Sequence, residues 1–240
     1  GQQPYPIVFN STDETYKNGT VVTGTVEVSK KLVGIRDAQP ATPISKVYDG
    51  TTGLTDDNKT AVQSCIILYG MLKDDDVSIN WSTMTGRYNS ANVADAEKIE
   101  AAFPGRCLTG KDADNYRMDA VTTTCYINAE ITPRSLNGAT VTLNRTSTEY
   151  TGEVVELPTP TVTLDGMTLV EGTDYQADSV AVGSWTPVGT YSYKIIPATG
   201  NQNFTGSASA AFEIKPAELT VTAEAKSKTY GDADPELTYK

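Results

Sequence analysis

Histidine is missing altogether from this sequence of 240 residues. Its absence removes the commonest general base, the Ser–His and Cys–His nucleophile pairs, and every zinc site that uses imidazole. Cysteine is almost as scarce. Cys65, Cys107 and Cys125 are too few and too widely spaced for a thiolate zinc site. Positive charge is in deficit, with 19 Lys and Arg against 30 Asp and Glu and a net charge of −11. Such a surface repels phosphate backbones, which excludes nucleic acid as a partner, and anionic membrane surfaces are disfavoured on the same ground. Long apolar runs are lacking too. None approaches the roughly 18 residues that span a bilayer, so no membrane insertion is expected in this segment. The chemistry left to an enzyme is that of carboxylate, lysine, thiol or phenol groups. The sequence predicts no catalytic residue, no metal ligand and no cofactor.

What is present is strand and turn chemistry. Thr, Val, Gly, Asn, Asp and Tyr dominate, and β-branched and aromatic side chains fit a pleated, half-buried surface. The expected fold class is all-β. The length exceeds the usual single domain, which predicts two or more units.

The units announce themselves through a repeated local order. Gly24–Lys30 leads to Leu32–Ile35, Cys125–Pro133 leads to Ala139–Leu143, and Ala211–Pro216 leads to Leu219–Ala223. Each is an alternating strand, a short break that often holds proline, and a second alternating strand. Proline cannot donate to a ladder, so it suits the place where one strand stops. After each break comes a tyrosine turn: Tyr48-Asp49-Gly50, Tyr150-Thr151-Gly152 and Tyr230-Gly231-Asp232. Gly and Asp suit such turns because they tolerate positive φ or bond their own backbone. The junctions at 131 and 214 lie 83 residues apart, the span of a small domain rather than of a solenoid repeat. The resulting division is 1–30 as the closing strands of one unit, 31–133 and 134–215 as whole units, and 216–240 as the opening of another. The expected architecture is a row of small β-sandwich or β-grasp-like domains in an elongated array, and the chain is expected to be monomeric.

One stretch is ambiguous. Val93, Ala96, Ile99 and Phe103 are spaced like a helix face, which predicts one short helix near 92–103, yet Ile99, Ala101 and Phe103 also alternate like a strand.

At Lys46-Val47-Tyr48-Asp49-Gly50-Thr51-Thr52 the sequence resembles the YDG domain of bacterial surface and haemagglutinin-like proteins. The resemblance continues through Leu68-Tyr69-Gly70, Asp75-Asp76-Val77 and Leu108–Tyr116 to Ile131-Thr132-Pro133. Residues 134–215 resemble Ig-like surface repeats at Tyr150-Thr151-Gly152, Leu169–Tyr175, Gly189-Thr190-Tyr191, Asn203–Gly206 and Phe212-Glu213-Ile214. Lys228–Tyr239 is similar to the start of an MBG domain. These resemblances imply a non-catalytic stalk region of a secreted bacterial cell-surface or adhesin-like protein. The partners implied are neighbouring domains of its own longer chain, with a host glycan or protein as the further candidate. They carry over no established binding residue.

Candidate sites are few. Trp81 continues the Val77/Ile79 face and is expected in the core. Trp185, flanked by Gly183-Ser184 and Thr186-Pro187, is expected in an exposed loop and is the candidate ligand contact. Cys107 and Cys125 flank a strand–loop–strand segment and are the candidate disulfide, with buried free thiols as the equal alternative. The acidic stretches Asp74–Asp76, Asp112–Asp114 and Asp232–Asp234 read as turns fixed by their own side chains, with calcium clamping as the less favoured reading. The motif tyrosines Tyr48, Tyr116, Tyr150 and Tyr230 are expected to pack beneath their turns rather than to stack on sugars. Lys17, Lys46 and Lys111 are read as turn residues, which disfavours an amide cross-link from a buried lysine to an asparagine.

Overall fold

The structure is a computed structural model that describes residues 2–8, 21–179 and 184–240, with side chains from residue 26 onward. The chain divides into two compact units between Pro133 and Arg134.

In the first unit, strands β1 (Gln2–Val8) and β2 (Val21–Glu27) pair antiparallel. Then follow β3 (Lys31–Asp37), β4 (Ile44–Val47), helix α1 (Asp56–Ser64) and β5 (Ile66–Tyr69). After these come the two-residue β6 (Ser78–Ile79), β7 (Thr85–Tyr88), β8 (Lys98–Pro104), β9 (Leu108–Thr109), β10 (Tyr116–Met118) and β11 (Thr122–Thr132). A four-stranded sheet runs in the order β4-β11-β8-β7 and a three-stranded sheet in the order β10-β3-β5. Period-two alternation gives each sheet one apolar face. Val33, Ile35, Ile66, Tyr116 and Met118 from one sheet meet Ile44, Ile99, Phe103, Ile127 and Ile131 from the other in a single core.

The helix expected near 92–103 is not there. Residues 98–104 form β8, with Ile99, Ala101 and Phe103 fully buried on its inner face and β11 and β7 on either side. The period-two pattern prevails because both edges of β8 are paired, and a helix would leave those ladders empty. The helix that does form, α1, lies elsewhere. Its start is set by a capping box in which the Asn58 N–H donates to Thr55 Oγ1 (3.1 Å) and the Thr55 N–H donates to Asn58 Oδ1 (3.4 Å). Only Asn58 and Val62 of this helix are buried.

The second unit comprises β12 (Arg134–Ser135), β13 (Thr140–Leu143), β14 (Ser147–Glu149), β15 (Pro160–Leu164), β16 (Met167–Leu169), β17 (Tyr175–Ala177), β18 (Gly189–Pro197), β19 (Phe204–Thr205) and β20 (Ala208–Lys215). Its core is built from Leu136, Val162, Leu164, Tyr193, Ile195, Phe212 and Ile214, among others.

The two units repeat one four-stranded sheet. The four-stranded order β14-β20-β18-β17 copies β4-β11-β8-β7, with the first pair parallel and the next two antiparallel in both. The antiparallel pair β13·β15 copies β3·β5, but the third strand differs, since β10 joins β3 in parallel whereas β16 joins β15 antiparallel. Helix α1 has no counterpart among the described residues of the second unit. The all-β class stands, with one α-helix among the described residues, inserted in one of two related units.

In residues 219–240 the regular backbone pairing is a bridge between Ala223 and Tyr239 with the backbone bonds around it. Leu219, Tyr230, Leu237 and Tyr239 there are all exposed.

Candidate functional site: the tyrosine–glycine turns and their lysine

Strand β4 lies at the edge of its sheet, parallel to the last residues of β11, and the Tyr48 N–H extends that ladder by donating to Thr132 O (2.9 Å). Alternation along β4 turns Ile44 and Lys46 inward. Lys46 is therefore not a turn residue, as its surroundings in the sequence suggest. Its side chain is 3 % exposed.

Every polar need of Lys46 is met by the turn that follows. Its Nζ donates to Asp49 Oδ1 (2.8 Å), Thr51 O (2.8 Å), Thr51 Oγ1 (3.2 Å) and Gly53 O (3.0 Å). The same Asp49 oxygen accepts from the Thr51 N–H and Thr51 Oγ1, both at 2.9 Å. Gly50 takes φ +75°, which a side chain would resist. Burial alone would raise the pKa of Asp49. The bonds from Lys46 and Thr51 and the lysine charge outweigh burial and hold the carboxyl below its ordinary 3.8.

Tyr88 forms the floor of this site. It is fully buried, and the Lys46 ammonium stands 5.4 Å from its ring centroid. Its hydroxyl lies within donor range of Ile44 O (3.2 Å) and Asn58 Oδ1 (3.3 Å), and Asn58 Nδ2 donates to Ser45 O (2.9 Å). Burial first, then Asp49 and Glu130, push the phenol up to about 12. Lys46 and Asn58 thus lock the turn and helix α1 onto the edge strand. A lysine whose hydrogens are spent on a carboxylate, a hydroxyl and two carbonyls is a fastener rather than a nucleophile.

The second unit repeats the turn without the lysine. The Tyr150 N–H donates to Lys215 O (2.8 Å), Gly152 takes φ +83°, and the Glu153 N–H donates to Thr151 Oγ1 (3.4 Å). Thr148 pairs with Ile214 as Lys46 pairs with Ile131, so a neutral residue stands in the lysine's place. In 219–240 the lysine returns two residues before the tyrosine. Lys228 contacts Asp234 and donates to Asp232 O (3.4 Å), while Tyr230 stays fully exposed.

The acidic stretches of the first unit are staples between two loops. The Asp76 N–H donates to Asp112 Oδ2 (2.9 Å), the Lys111 N–H to Asp76 Oδ2 (3.2 Å), and Tyr116 Oη to Asp75 Oδ2 (2.5 Å). That last bond raises the Tyr116 pKa. Gly110 is required where these loops touch, because a Cβ there would stand 2.2 Å from Asp76 O. Among the described residues no group of three or more Cys, Asp or Glu is gathered to hold a metal ion.

Trp185 is a correction. It is 3 % exposed, stacked on Tyr191 (5.0 Å between centroids) and Phe212 (5.3 Å), with the edge of Tyr193 against it. Flanking Gly, Ser and Pro suggested an exposed loop, but the indole buries more apolar area on the β18–β20 surface than any smaller side chain offers. It is a core anchor, and nothing is left exposed for a ligand. Of the two alternatives for Cys107 and Cys125, a bridge or buried free thiols, the structure has the second. Cys65, Cys107 and Cys125 are all free and buried. Burial raises the Cys107 thiol, and burial with the nearby Asp37 charge pushes Cys125 up to about 11. Trp81 is partly buried, with its ring edge-on to Phe103 at 5.9 Å. Lys17 lies outside the described residues.

An open trough of about 360 Å³ lies on the outer face of the four-stranded sheet, between Arg87, Glu100 and Thr124. Its acid and base are spent on each other at 3.1 Å. No helix among the described residues is long and apolar enough to cross a membrane.

Comparison with known proteins places this geometry. No curated protein matches the chain. Residues 219–240 match the MBG domain of YGX type. Residues 36–125, which include Lys46, the Tyr48 turn and the acidic staples, match the YDG domain. The Ig-like repeat expected for 134–215 is not among the matches. Both matched types are structural or binding domains without a known catalytic role. The chain thus contains a YDG domain, followed further along by the start of an MBG domain.

Proposed function

We propose that this chain is a non-catalytic structural region of a secreted, bacterial cell-surface or adhesin-like protein, in which separately folded β units follow one another as a spacer. One observation carries the reading: the same four-stranded sheet, in the same strand order and sense of pairing, is built twice in succession, each time against its own core. Repetition of a fold without repetition of its polar cluster, Lys46 in one unit and Thr148 in the other, fits a role in which architecture matters more than a shared site. The proposed units are 31–133 and 134–215, with 1–30 closing a preceding unit and 216–240 opening an MBG unit. Their partners are neighbouring units of the same longer chain.

Pulling the chain between its ends tests this. Two unfolding events of domain-sized contour length support a spacer, whereas one cooperative event removes it. Labelling intact cells of the source organism with an antibody to this segment tests the surface location. A second reading, a binding module, is favoured by a single feature of the first unit.

A further inference from the structure

The outward face of the three-stranded sheet in the first unit departs from what its own fold requires. Strands β3, β5 and β10 point Leu32, Gly34, Arg36, Ile67, Tyr69 and Arg117 away from the core. Leu32 is 45 % exposed, Ile67 36 % and Tyr69 51 %. The registers Gly34↔Tyr69, Arg36↔Ile67 and Leu32↔Arg117 make these six residues neighbours on one surface. The Tyr69 phenol lies across bare Gly34, where a Cβ would stand 2.5 Å from its Cζ, and the Arg36 guanidinium is 6.0 Å from the ring centroid. Arginine and aromatic residues are the types enriched where proteins bind proteins.

The second unit supplies the internal control. Its strands β13 and β15, which correspond to β3 and β5, point Thr140, Thr142, Thr161 and Thr163 outward, and β16 beside β15 adds Thr168; all five are exposed. Thr140↔Thr163 and Thr142↔Thr161 stand where Gly34↔Tyr69 and Arg36↔Ile67 stand in the first. Threonine on both strands is the pattern of a sheet face left to water. The fold therefore does not demand Tyr69, Arg36 and Ile67 there, and β10, which brings Arg117 beside Leu32, is a strand the sheet of the second unit does not have on that side.

Charge indicates the occupant. In a chain of net charge −11, the six outward positions carry two arginines and no acid. We infer that this face docks a protein segment whose aliphatic or aromatic side chains are flanked by Asp or Glu. The apolar centre supplies affinity, and the arginines at its margin select the acidic partner. The inference does not depend on the spacer reading.

The test uses the full chain and a displayed library of random 12-residue peptides. Two variants serve as counter-selection: the threonine graft Leu32→Thr/Ile67→Thr/Tyr69→Thr, which writes the second unit's face onto the first, and Arg36→Gln/Arg117→Gln, which leaves the apolar residues in place. Circular dichroism establishes that both remain folded, and the glutamine pair serves if the graft does not. The expected result is enrichment of peptides with acids beside Leu, Ile, Phe or Tyr. Their affinity, read by fluorescence anisotropy, falls at least tenfold in either variant and weakens at 0.5 M salt. Enriched peptides without an acidic excess, equal binding to the variants, no enrichment, or binding of anionic polysaccharides in place of peptides would each overturn it.

Discussion

Replacing Lys46 with methionine keeps most of the side chain's volume and removes only the ammonium, so it isolates the fastener of the Tyr48 turn. Breaking a buried ion pair costs about 3–5 kcal/mol when the surviving charge is left dry. Asp49 keeps 40 % of its side chain exposed, so water replaces much of what the ammonium gave. Thr51 O and Gly53 O belong to a surface turn and rehydrate in the same way. The expected loss is then about 2 kcal/mol, which for a domain of roughly 100 residues lowers the midpoint by on the order of 10 °C. Scanning calorimetry of the full chain reads this directly, because the first unit's transition should move while the second stays in place. Lys59→Met is the control. Its pair with Asp56 has side chains 51 % and 98 % exposed, so no resolvable shift is expected. An unmoved first transition would refute the fastener, and a joint fall of both transitions would refute separate cores.

The remaining predictions concern the same two cores. Because Asp49 titrates below 3.8 in the fold, the unfolded chain takes up its proton first; its contribution is complete above the unfolded pKa and is lost as pH falls through the lowered one. Lys46→Met should therefore flatten the first unit's acid dependence in that window, and urea midpoints from pH 5 down to pH 2 would show whether it does. Trp185→Ala should cost about 3–5 kcal/mol in the second unit alone, since the indole is stacked between two rings. Unaltered calorimetry of that unit would return Trp185 to the surface. All three thiols should resist alkylation at pH 8 in the native chain and react fully in denaturant, because they are buried and two are pushed upward in pKa. An intact mass 2 Da short after unfolding without reductant would instead reveal a disulfide.

How far the sequence could be read depends on the range of the interaction that decides each element. Strand β8 was half legible: Ile99, Ala101 and Phe103 alternate, but Val93 and Ala96 imitate a helix, and only pairing on both sides ends the ambiguity. Helix α1 escaped because it buries just Asn58 and Val62 and so shows no apolar stripe, although Thr55 and Asn58 already form its cap. Lys46 was misread because its neighbours Tyr48-Asp49-Gly50 are turn residues, while its own inward direction comes from the parity of a strand paired to β11, some 85 residues away. Trp185 was misread for a similar reason, since Gly, Ser and Pro beside it describe the backbone but not where the ring lands.

Composition, alternation and turn chemistry by themselves determined an all-β chain with tyrosine–glycine turns recurring after proline-marked breaks, because these signals act over a few residues and follow from backbone sterics. Tertiary structure alone decided that two units share a four-stranded sheet, that a lysine is sealed beneath one turn and absent beneath the other, and that one sheet face carries Ile, Tyr and Arg where its counterpart carries threonine. Those facts depend on which strands become neighbours. Pairing between distant segments is set by the global burial of apolar faces rather than by any local run of residues.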